Sequence, residues 1–88
     1  MSHMLIRHRV HDFDKWKAAY DAHGQTRAAA GLKDLHLWHN VDDPKEIFLL
    51  FETADVAKAK VFAMSADLME RMTAAGVIGP PDISFLSA

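Results

Sequence analysis

Aromatic, histidine and arginine side chains recur at helical spacing between residues 11 and 31. They follow one another at intervals of three and four residues, which places them on one face of a helix; the members are Phe13, Trp16, Tyr20, His23 and Arg27. An imidazole titrates near neutral pH, so a histidine beside a phenol hydroxyl is suited to moving a proton. The pattern indicates a helix that lines a pocket, with His23 and Tyr20 as candidate proton-transfer groups.

Two further histidines join these candidates from predicted strands. His8 continues an apolar alternation that ends at Val10, and His39 shares a strand face with Leu37, so both are expected to point toward the helix. The functional interpretation is that His8 or His39 completes an acid–base pair with His23. The alternative is that each imidazole is a packed histidine whose nitrogens bond to backbone carbonyls.

Four side chains are candidates for contact with a ligand, and each has a structural alternative. Trp16 offers a flat apolar surface, although a tryptophan at helical spacing is also typical of a core. Arg27 suits an anionic group, although an arginine near a helix C-terminus also favours the macrodipole. Trp38 can stack on a ligand or be buried between two sheets. Met64 offers an adaptable lining for an apolar ligand or ordinary core filling.

The sequence lacks the residues that most metal and cofactor sites require. There is no cysteine, which excludes disulfides and thiolate ligands. His36 and His39 are three residues apart, so a strand directs them to opposite faces and they cannot chelate one ion. No glycine-rich phosphate loop, dinucleotide fingerprint or nucleophile elbow is present. We therefore expect no metal and no cofactor.

Composition describes a small protein without a nucleic-acid or membrane signature. Ten basic and twelve acidic residues are spread along 88 positions, with a formal net charge of −2, which provides no basic patch for nucleic acid. No apolar run approaches the ~20 residues of a membrane span, and there is no signal-peptide pattern. We expect a cytoplasmic protein with one domain over residues 4–88, preceded at 1–3 by a remnant of an expression tag.

Periodicity and turn signals predict the element order β-α-β-β-α-β. One helix is expected from an N-cap at Asp12 to a stop at Gly31, with a kink or close approach at Gly24. A second is expected to begin at Thr53 and to restart at Ser65. Prolines before the last strand place it at a sheet edge. The predicted strands are 5–10, 32–40, 45–52 and 83–86. This order is that of an α+β, ferredoxin-like fold, a four-stranded antiparallel sheet with helices on one face.

The two faces of this sheet differ in their expected cover. Parity in the two strands of the central hairpin assigns the odd-numbered residues 35–39 and 47–51 to the helix-facing core and the even-numbered residues 36–40 and 48–52 to the opposite face. The run from Ile47 to Phe51 is nevertheless apolar at both parities, as in a strand covered on both sides. Because the helices cover only one face, a second copy of the sheet packed face to face is the economical cover. The sequence predicts a homodimer.

Five segments carry a resemblance to a known superfamily. They are HRVHDFDKWKAAYDAH (8–23), AAAG (28–31), DDPKEIFLLFET (42–53), FAMSADLMERMTAAGV (62–77) and PPDISFL (80–86). With these, nearly the whole of residues 4–88 resembles the dimeric α/β-barrel superfamily, which includes antibiotic-biosynthesis monooxygenase-like proteins, small polyketide cyclases and muconolactone-isomerase-like enzymes. The resemblance implies a ligand cavity between helices and sheet in each subunit. The superfamily also includes haem-degrading enzymes, whose catalytic residues have no counterpart here.

Two functions of different kinds follow from these observations. The first is a small cofactor-independent enzyme of monooxygenase, cyclase or isomerase type, which applies acid–base chemistry to a flat apolar cyclic or aromatic molecule in the helix–sheet pocket. The alternative is a non-catalytic ligand-binding or regulatory dimer. The enzyme needs a void beneath the first helix bordered by histidines. Complete filling of that space by Trp16 and Tyr20 would remove its main support.

Overall fold

The computed structural model describes residues 2–88, which form an α+β fold around one antiparallel sheet. The strands are β1 (Ser2–Val10), β2 (Leu32–His39), β3 (Glu46–Thr53) and β4 (Val77–Ser87). The helices are α1 (Phe13–Ala22), α2 (Gly24–Ala29), α3 (Val56–Ala63) and α4 (Ala66–Ala74). The predicted β-α-β-β-α-β order is confirmed, with each helical connection divided into two helices.

The strands lie in the order β2-β3-β1-β4, so β1 and β3 are central and β4 is at an edge, as its prolines predicted. Alternate residues of the two central strands face the helices and are buried. They are Met4, Ile6, His8 and Val10 of β1, with Ile47, Leu49 and Phe51 of β3. The helices contribute Trp16 and Ala59 to the same buried cluster. The core therefore lies between the helices and one face of the sheet.

The first and last strands are longer than predicted. β1 begins at Ser2 instead of Leu5, and β4 begins at Val77 instead of Ile83. β4 continues through Gly79-Pro80-Pro81, and the pairing of β1 with β4 changes register nearby. Proline lacks the N–H that a central strand requires, whereas an edge strand pairs on one side only. The edge position therefore allows the strand to start before the prolines.

The single helix expected over residues 12–31 is wrong, because the helix is interrupted at His23. Its φ of −103° and ψ of 16° depart from helical values, and Gly24, which follows it, is among the poorest helix formers. The carbonyl of Tyr20, near the end of α1, accepts from the backbone N–H of His23 at 3.2 Å and from Nη1 of Arg27 at 2.6 Å. A side chain of α2 therefore completes the end of α1, at the kink expected near Gly24.

The second helical connection begins two residues later than expected. Thr53 is the last residue of β3, and Asp55 is the N-cap of α3, with its carboxylate accepting from the backbone N–H of Lys58 at 3.1 Å. The predicted cap at Ser65 is confirmed, since its hydroxyl oxygen accepts from the backbone N–H of Leu68 at 3.2 Å. Threonine and aspartate are both good N-caps, so residue type alone does not separate the two starts.

A β-bulge near Leu35 changes which residues of β2 face the helices. Before the bulge, Asp34 pairs with Phe51 on the helix side of the sheet, and beyond it Leu37 pairs with Leu49 on that same side. The extra residue of a bulge reverses the parity of the strand. The assignment of odd-numbered residues to the core therefore holds from Leu37 onward and is wrong for the start of β2.

The sheet face opposite the helices, here called the open face, carries apolar side chains that no described residue covers. Trp38 and Leu86 are 48% and 45% exposed, and Leu5, Phe48 and Leu50 are half-buried beside them. The expectation that even-numbered residues from 36 to 52 occupy this face is confirmed by the pairing of β2 with β3.

The N-cap of α1 can be tested by substitution. Asp12 accepts from the backbone N–H groups of Asp14 at 3.0 Å and Lys15 at 3.3 Å, so Asp12→Ala is expected to lower the free energy of unfolding by about 1 kcal/mol. Asp21→Ala is the matched control, because it removes one acid and only an exposed pair with Lys17, which contributes at most about 0.5 kcal/mol. Chemical denaturation followed by circular dichroism measures both, and equal losses would contradict the capping role.

Candidate functional site

A cavity lies between the helices and the helix-facing side of the sheet. Its interior volume is about 80 Å³, and it continues into a mouth that is open to solvent. The helices α1 and α2 contribute Trp16, Tyr20, His23 and Arg27 to its lining, and β1 contributes His8. The helical stripe found in the sequence therefore borders a cavity, with a mainly apolar wall and a few polar groups, as is typical of sites for small organic molecules.

Trp16 and Tyr20 form one wall of the cavity and do not fill it. Their rings stack with centroids 5.0 Å apart and planes inclined at 28°. Trp16 also meets the imidazole of His8 edge-on, at 5.3 Å between centroids and 76° between planes. Aromatic pairs at such distances contribute roughly 0.5–1.5 kcal/mol beyond the area they bury. The wall is thus held in place, and the void beneath α1 is bordered by histidines.

His8 is a buried polar side chain whose hydrogen bonds are left unmade among the described residues, as is the hydroxyl of Thr53. His8 is 3% exposed, and neither Nδ1 nor Nε2 has a hydrogen-bond partner among the described residues. Burial lowers the pKa of His8 to about 4, so its ring is neutral at pH 7. A neutral imidazole offers one N–H donor and one acceptor nitrogen, and a buried polar group without a partner costs about 1–3 kcal/mol. Neither nitrogen is therefore committed to a partner within residues 2–88.

Tyr20 is a hydrogen-bond donor in this environment. Burial raises the pKa of Tyr20 to about 12, and the positive charge of Arg27 opposes that rise only in part. The guanidinium carbon of Arg27 lies 3.6 Å from the centroid of the ring. The phenol therefore stays protonated at neutral pH, which suits it to donate a hydrogen bond and not to act as a base.

Arg27 is used by the fold. Its side chain is buried, Nε and Nη2 donate to the two carboxylate oxygens of Asp34 at 3.3 and 3.1 Å, and Nη1 donates to the carbonyl of Tyr20. All three guanidinium nitrogens are thus engaged within the chain. Arg27 thus has no uncommitted nitrogen with which to bind an anionic ligand. Its main partners are Asp34 and the carbonyl of Tyr20, and not the helix macrodipole.

His23 occupies the break between α1 and α2 and borders the cavity. Its Nδ1 lies 2.7 Å from the carbonyl oxygen of Ala19. A carbonyl oxygen can only accept, so Nδ1 carries the proton of the neutral ring and Nε2 is left as an acceptor. One nitrogen of His23 is therefore bonded to the backbone, as the structural alternative predicted, and the other is free to accept a proton.

Three predicted site residues lie outside the cavity. His39 is exposed near the end of β2, with its ring 6.0 Å from that of Phe13. Trp38 is on the open face, stacked on His36 with 4.7 Å between ring centroids. Met64 follows the end of α3 and is 81% exposed. His39 has the expected parity but lies too far along the strand, Trp38 faces the other side of the sheet, and Met64 points away from the core.

Other cavity residues were not predicted. The helix α4 contributes Leu68 and Arg71 to the lining, and α2 contributes Thr26. The spacing of three residues within α4 is the signal that could have found its members. Asp34, the partner of Arg27, escaped because the bulge in β2 reverses the parity from which its face was inferred.

The geometry of the histidines offers no metal site. Among residues 2–88, no three histidine, aspartate or glutamate side chains are grouped so as to hold an ion. His36 pairs with Leu50 and His39 with Ile47, which places the two imidazoles on opposite faces of the sheet.

None of the helices within residues 2–88 has both the length and the apolar character needed to span a membrane.

Comparison with known proteins finds relatives in structure only. No protein-family model and no curated protein matches the sequence. A Bordetella bronchiseptica protein, provisionally named an antibiotic biosynthesis monooxygenase, has a TM-score of 0.78 at 17% identity, over 99% of this chain and 95% of that one. SnoaB, a cofactor-independent oxygenase from Streptomyces nogalater, has a TM-score of 0.75 at 13% identity, over 99% and 91%. An uncharacterized NIPSNAP domain protein from Burkholderia xenovorans has a TM-score of 0.68 at 10% identity, over 100% and 94%.

At these identities the likeness defines the fold. The chain has the ferredoxin-like α+β fold of antibiotic biosynthesis monooxygenase proteins. The ferredoxin-like α+β fold predicted from the sequence is thereby confirmed.

The buried imidazole predicts how stability depends on pH. His8 has a pKa of about 4 in the folded chain and 6.5 when exposed, so the folded state binds fewer protons between these values. The free energy of unfolding is therefore unaffected by protonation of His8 above pH ~6.5. As the pH falls toward 4, protonation of His8 in the unfolded chain lowers it by up to about 3 kcal/mol.

His8→Phe is therefore expected to flatten the fall in unfolding free energy between pH 7 and 4.5. His39→Phe, which changes an exposed imidazole, serves as the control and should keep the wild-type slope. Urea denaturation across this range measures the effect, and an unchanged slope in His8→Phe would show that His8 is solvated in solution.

Proposed function

We propose that the protein is a small enzyme that acts without a bound cofactor on a flat aromatic or cyclic molecule held in the helix–sheet cavity. Its chemistry is of monooxygenase, cyclase or isomerase type. The observation that carries the proposal is His8, buried at the cavity with both ring nitrogens unpartnered. His8 accepts the proton that the substrate loses, Tyr20 donates a hydrogen bond, and His23 supplies a second acceptor at Nε2.

The acidity of the substrate decides whether His8 can act as a base. An ordinary phenol with a pKa of about 10 exceeds the imidazole pKa of about 4 by roughly six units, which opposes proton transfer by ~8 kcal/mol. Attraction between the phenolate and imidazolium that form offsets about 4 kcal/mol at an effective dielectric constant of 20. A conjugated carbonyl, which acidifies a hydroxyl or an adjacent C–H, supplies the remainder. The proposed substrate is therefore an activated phenol, enol or aryl ketone.

The three reaction types share this first proton transfer and differ in the fate of the anion. With dioxygen as cosubstrate, the carbanion forms a C–O bond, and the resulting hydroperoxide gives a carbonyl by loss of water. In a cyclase, the carbanion attacks a carbonyl carbon of the same molecule. In an isomerase, the proton returns from His8 to a different carbon. The cavity residues have the same task in each case, which is to accept, hold and return a proton.

The structural neighbours support this proposal at the level of chemistry that the fold can host. One neighbour is a cofactor-independent oxygenase, and several carry antibiotic biosynthesis monooxygenase names. Function resides in a site and not in a fold, so the unpartnered imidazole carries more weight than these likenesses. A ligand-binding or regulatory dimer remains the alternative, and binding without turnover distinguishes it.

We propose further that two copies of the chain pair through the open face. Its apolar centre is exposed in a single chain, and its charges are largely paired within the chain. Arg7 contacts Glu46 and Asp82, and Arg9 contacts Asp43. Paired charges lower the repulsion between identical faces, which an isologous interface requires. A second copy would cover the apolar residues that the helices cannot reach.

The role of His8 is tested with a panel of activated phenols and enolisable aryl ketones of one to three rings. Oxygen uptake reports oxygenation, and proton NMR reports cyclised or isomerised products. For a substrate found in this way, His8→Phe is expected to lower kcat by roughly 100-fold or more, as loss of a general base does. His39→Gln changes a histidine outside the cavity, so its kcat should stay within about twofold of the wild-type value.

A substrate-induced shift of the Trp16 indole NMR signal in His8→Phe verifies that binding survives the substitution. Unchanged turnover in His8→Phe would refute the assignment of the base. Binding of the panel without product would favour the regulatory alternative.

The dimer is tested by placing a charge at the centre of the open face. Leu50→Lys is expected to convert a dimer into a monomer in sedimentation at micromolar concentration, because two buried ammonium groups would face each other across the interface. Lys33→Glu, at the border of the same face, should leave the dimer intact. A wild-type protein that sediments as a monomer would refute the pairing.

A further inference from the structure

Two arginines line the cavity, and the fold engages them to different extents. Arg27 is buried, and all three of its nitrogens donate to Asp34 or to the carbonyl of Tyr20. Arg71, on α4, is partly exposed, with 37% of its side chain accessible. A cation at the wall of an otherwise apolar cavity is a natural partner for a negatively charged group of a ligand.

The contacts of Arg71 leave part of its guanidinium uncommitted. Nε lies 3.0 Å from Oδ2 of Asp67 on the same helix, and Nη1 lies 3.5 Å from Oγ1 of Thr26, at the limit of a hydrogen bond. No hydrogen bond of Nη2 is found among residues 2–88. The two Nη groups therefore retain donors, and the hydroxyl of Thr26, which accepts from Arg71, keeps its own proton to donate.

The competing charges near Arg71 are weak or engaged elsewhere. Asp67 is 67% exposed at its side chain and pairs with Arg71 as an i,i+4 surface pair, an interaction of about 0.3–0.5 kcal/mol. Asp34, the other carboxylate near the cavity, is held by Arg27. An anion entering between α2 and α4 thus meets a cation whose existing partner is easily displaced.

We propose that Arg71 and Thr26 bind an anionic group of the ligand, which makes the ligand of this cavity a hydroxylated aromatic acid. The carboxylate lies at Arg71, the ring against Trp16, and the hydroxyl at His8. This inference rests on the proposed function, since it names the class of molecule that the same cavity takes. The apolar wall and His8 require only a flat ring with a hydroxyl, and the anion site requires in addition a negative charge on the ligand.

Three naphthalene probes separate the two ends of the cavity. 2-Naphthol carries only the hydroxyl, 2-naphthoate only the carboxylate, and 6-hydroxy-2-naphthoate carries both at opposite ends of the ring system. Binding is measured by NMR titration of ¹⁵N-labelled protein at neutral pH. The indole N–H signal of Trp16 reports the cavity, and that of Trp38 on the open face reports nonspecific contact.

Arg71→Met keeps an apolar stem and removes the charge. It is expected to weaken both acids by about tenfold, as loss of a charge-assisted hydrogen bond does, and to leave 2-naphthol unchanged. Arg71→Lys should restore part of the affinity for the acids. Lys58→Met removes an equal charge from an exposed position on α3 outside the cavity and should alter none of the three probes. Asp67→Asn, which frees Arg71, should tighten the acids.

The outcomes distinguish the two proposals. Binding of 2-naphthol to wild type, combined with acids that bind no better or that do not respond to Arg71→Met, would overturn the anion site and leave the proposed function standing. Equal weakening of all three probes by Arg71→Met would show that Arg71 only supports the cavity wall, and this too overturns the anion site. If no probe shifts the Trp16 signal, the cavity does not take flat rings, and both proposals fail.

Discussion

The buried guanidinium of Arg27 is the interaction on which the cavity depends. It joins three parts of the chain: its own helix α2, the carbonyl of Tyr20 at the end of α1, and the carboxylate of Asp34 at the start of β2. The same group lies over the ring of Tyr20, which stacks in turn on Trp16. The ion pair with Asp34 is buried on the side of Arg27 and 49% exposed at Asp34, so removal of Asp34 would leave a buried cation without its carboxylate, which costs more than loss of a surface pair. The helix break, the aromatic wall and the bulged strand are therefore fixed together.

The cavity combines a satisfied polar cluster with an unsatisfied group. At the α1–α2 break, Arg27 and the Nδ1 of His23 have their partners within the chain. On the sheet, His8 has none, although it is more deeply buried than either. Proteins pair nearly all of their buried polar groups, so such an exception beside a void is what the proposed function builds on. The polar groups that join α1, α2 and β2 are thus distinct from the group proposed to meet the substrate.

Much of this arrangement was predictable from the sequence, because it depends on periodicity. The spacing of Trp16, Tyr20 and His23 indicated one helix face, and the alternation around His8 indicated the helix side of β1. The element order and the edge position of the last strand followed from turn residues and prolines. Each of these signals is local, and the structure retains it.

The features that escaped prediction depend on contacts between distant residues. The bulge near Leu35 brings Asp34 to Arg27, and strand parity alone places Asp34 on the other face. The cap at Asp55 competes with an equally suitable threonine two residues earlier. Spacing within α4 groups Arg71 with Leu68, but it does not show that this group faces α2, where Nη1 of Arg71 lies 3.5 Å from Oγ1 of Thr26. The open space itself is a property of packing, and no single residue encodes it.

Both edge strands of the sheet, β2 and β4, are irregular. β2 is interrupted by its bulge, and β4 carries Pro80 and Pro81, which have no N–H to offer. A regular outer strand presents a row of free amide and carbonyl groups on which a foreign strand can form, and bulges and prolines disrupt such a row. Both borders of this sheet are therefore poor templates for further strands. Lateral growth into fibrils is discouraged at both ends, while the flat surface between them remains free for association.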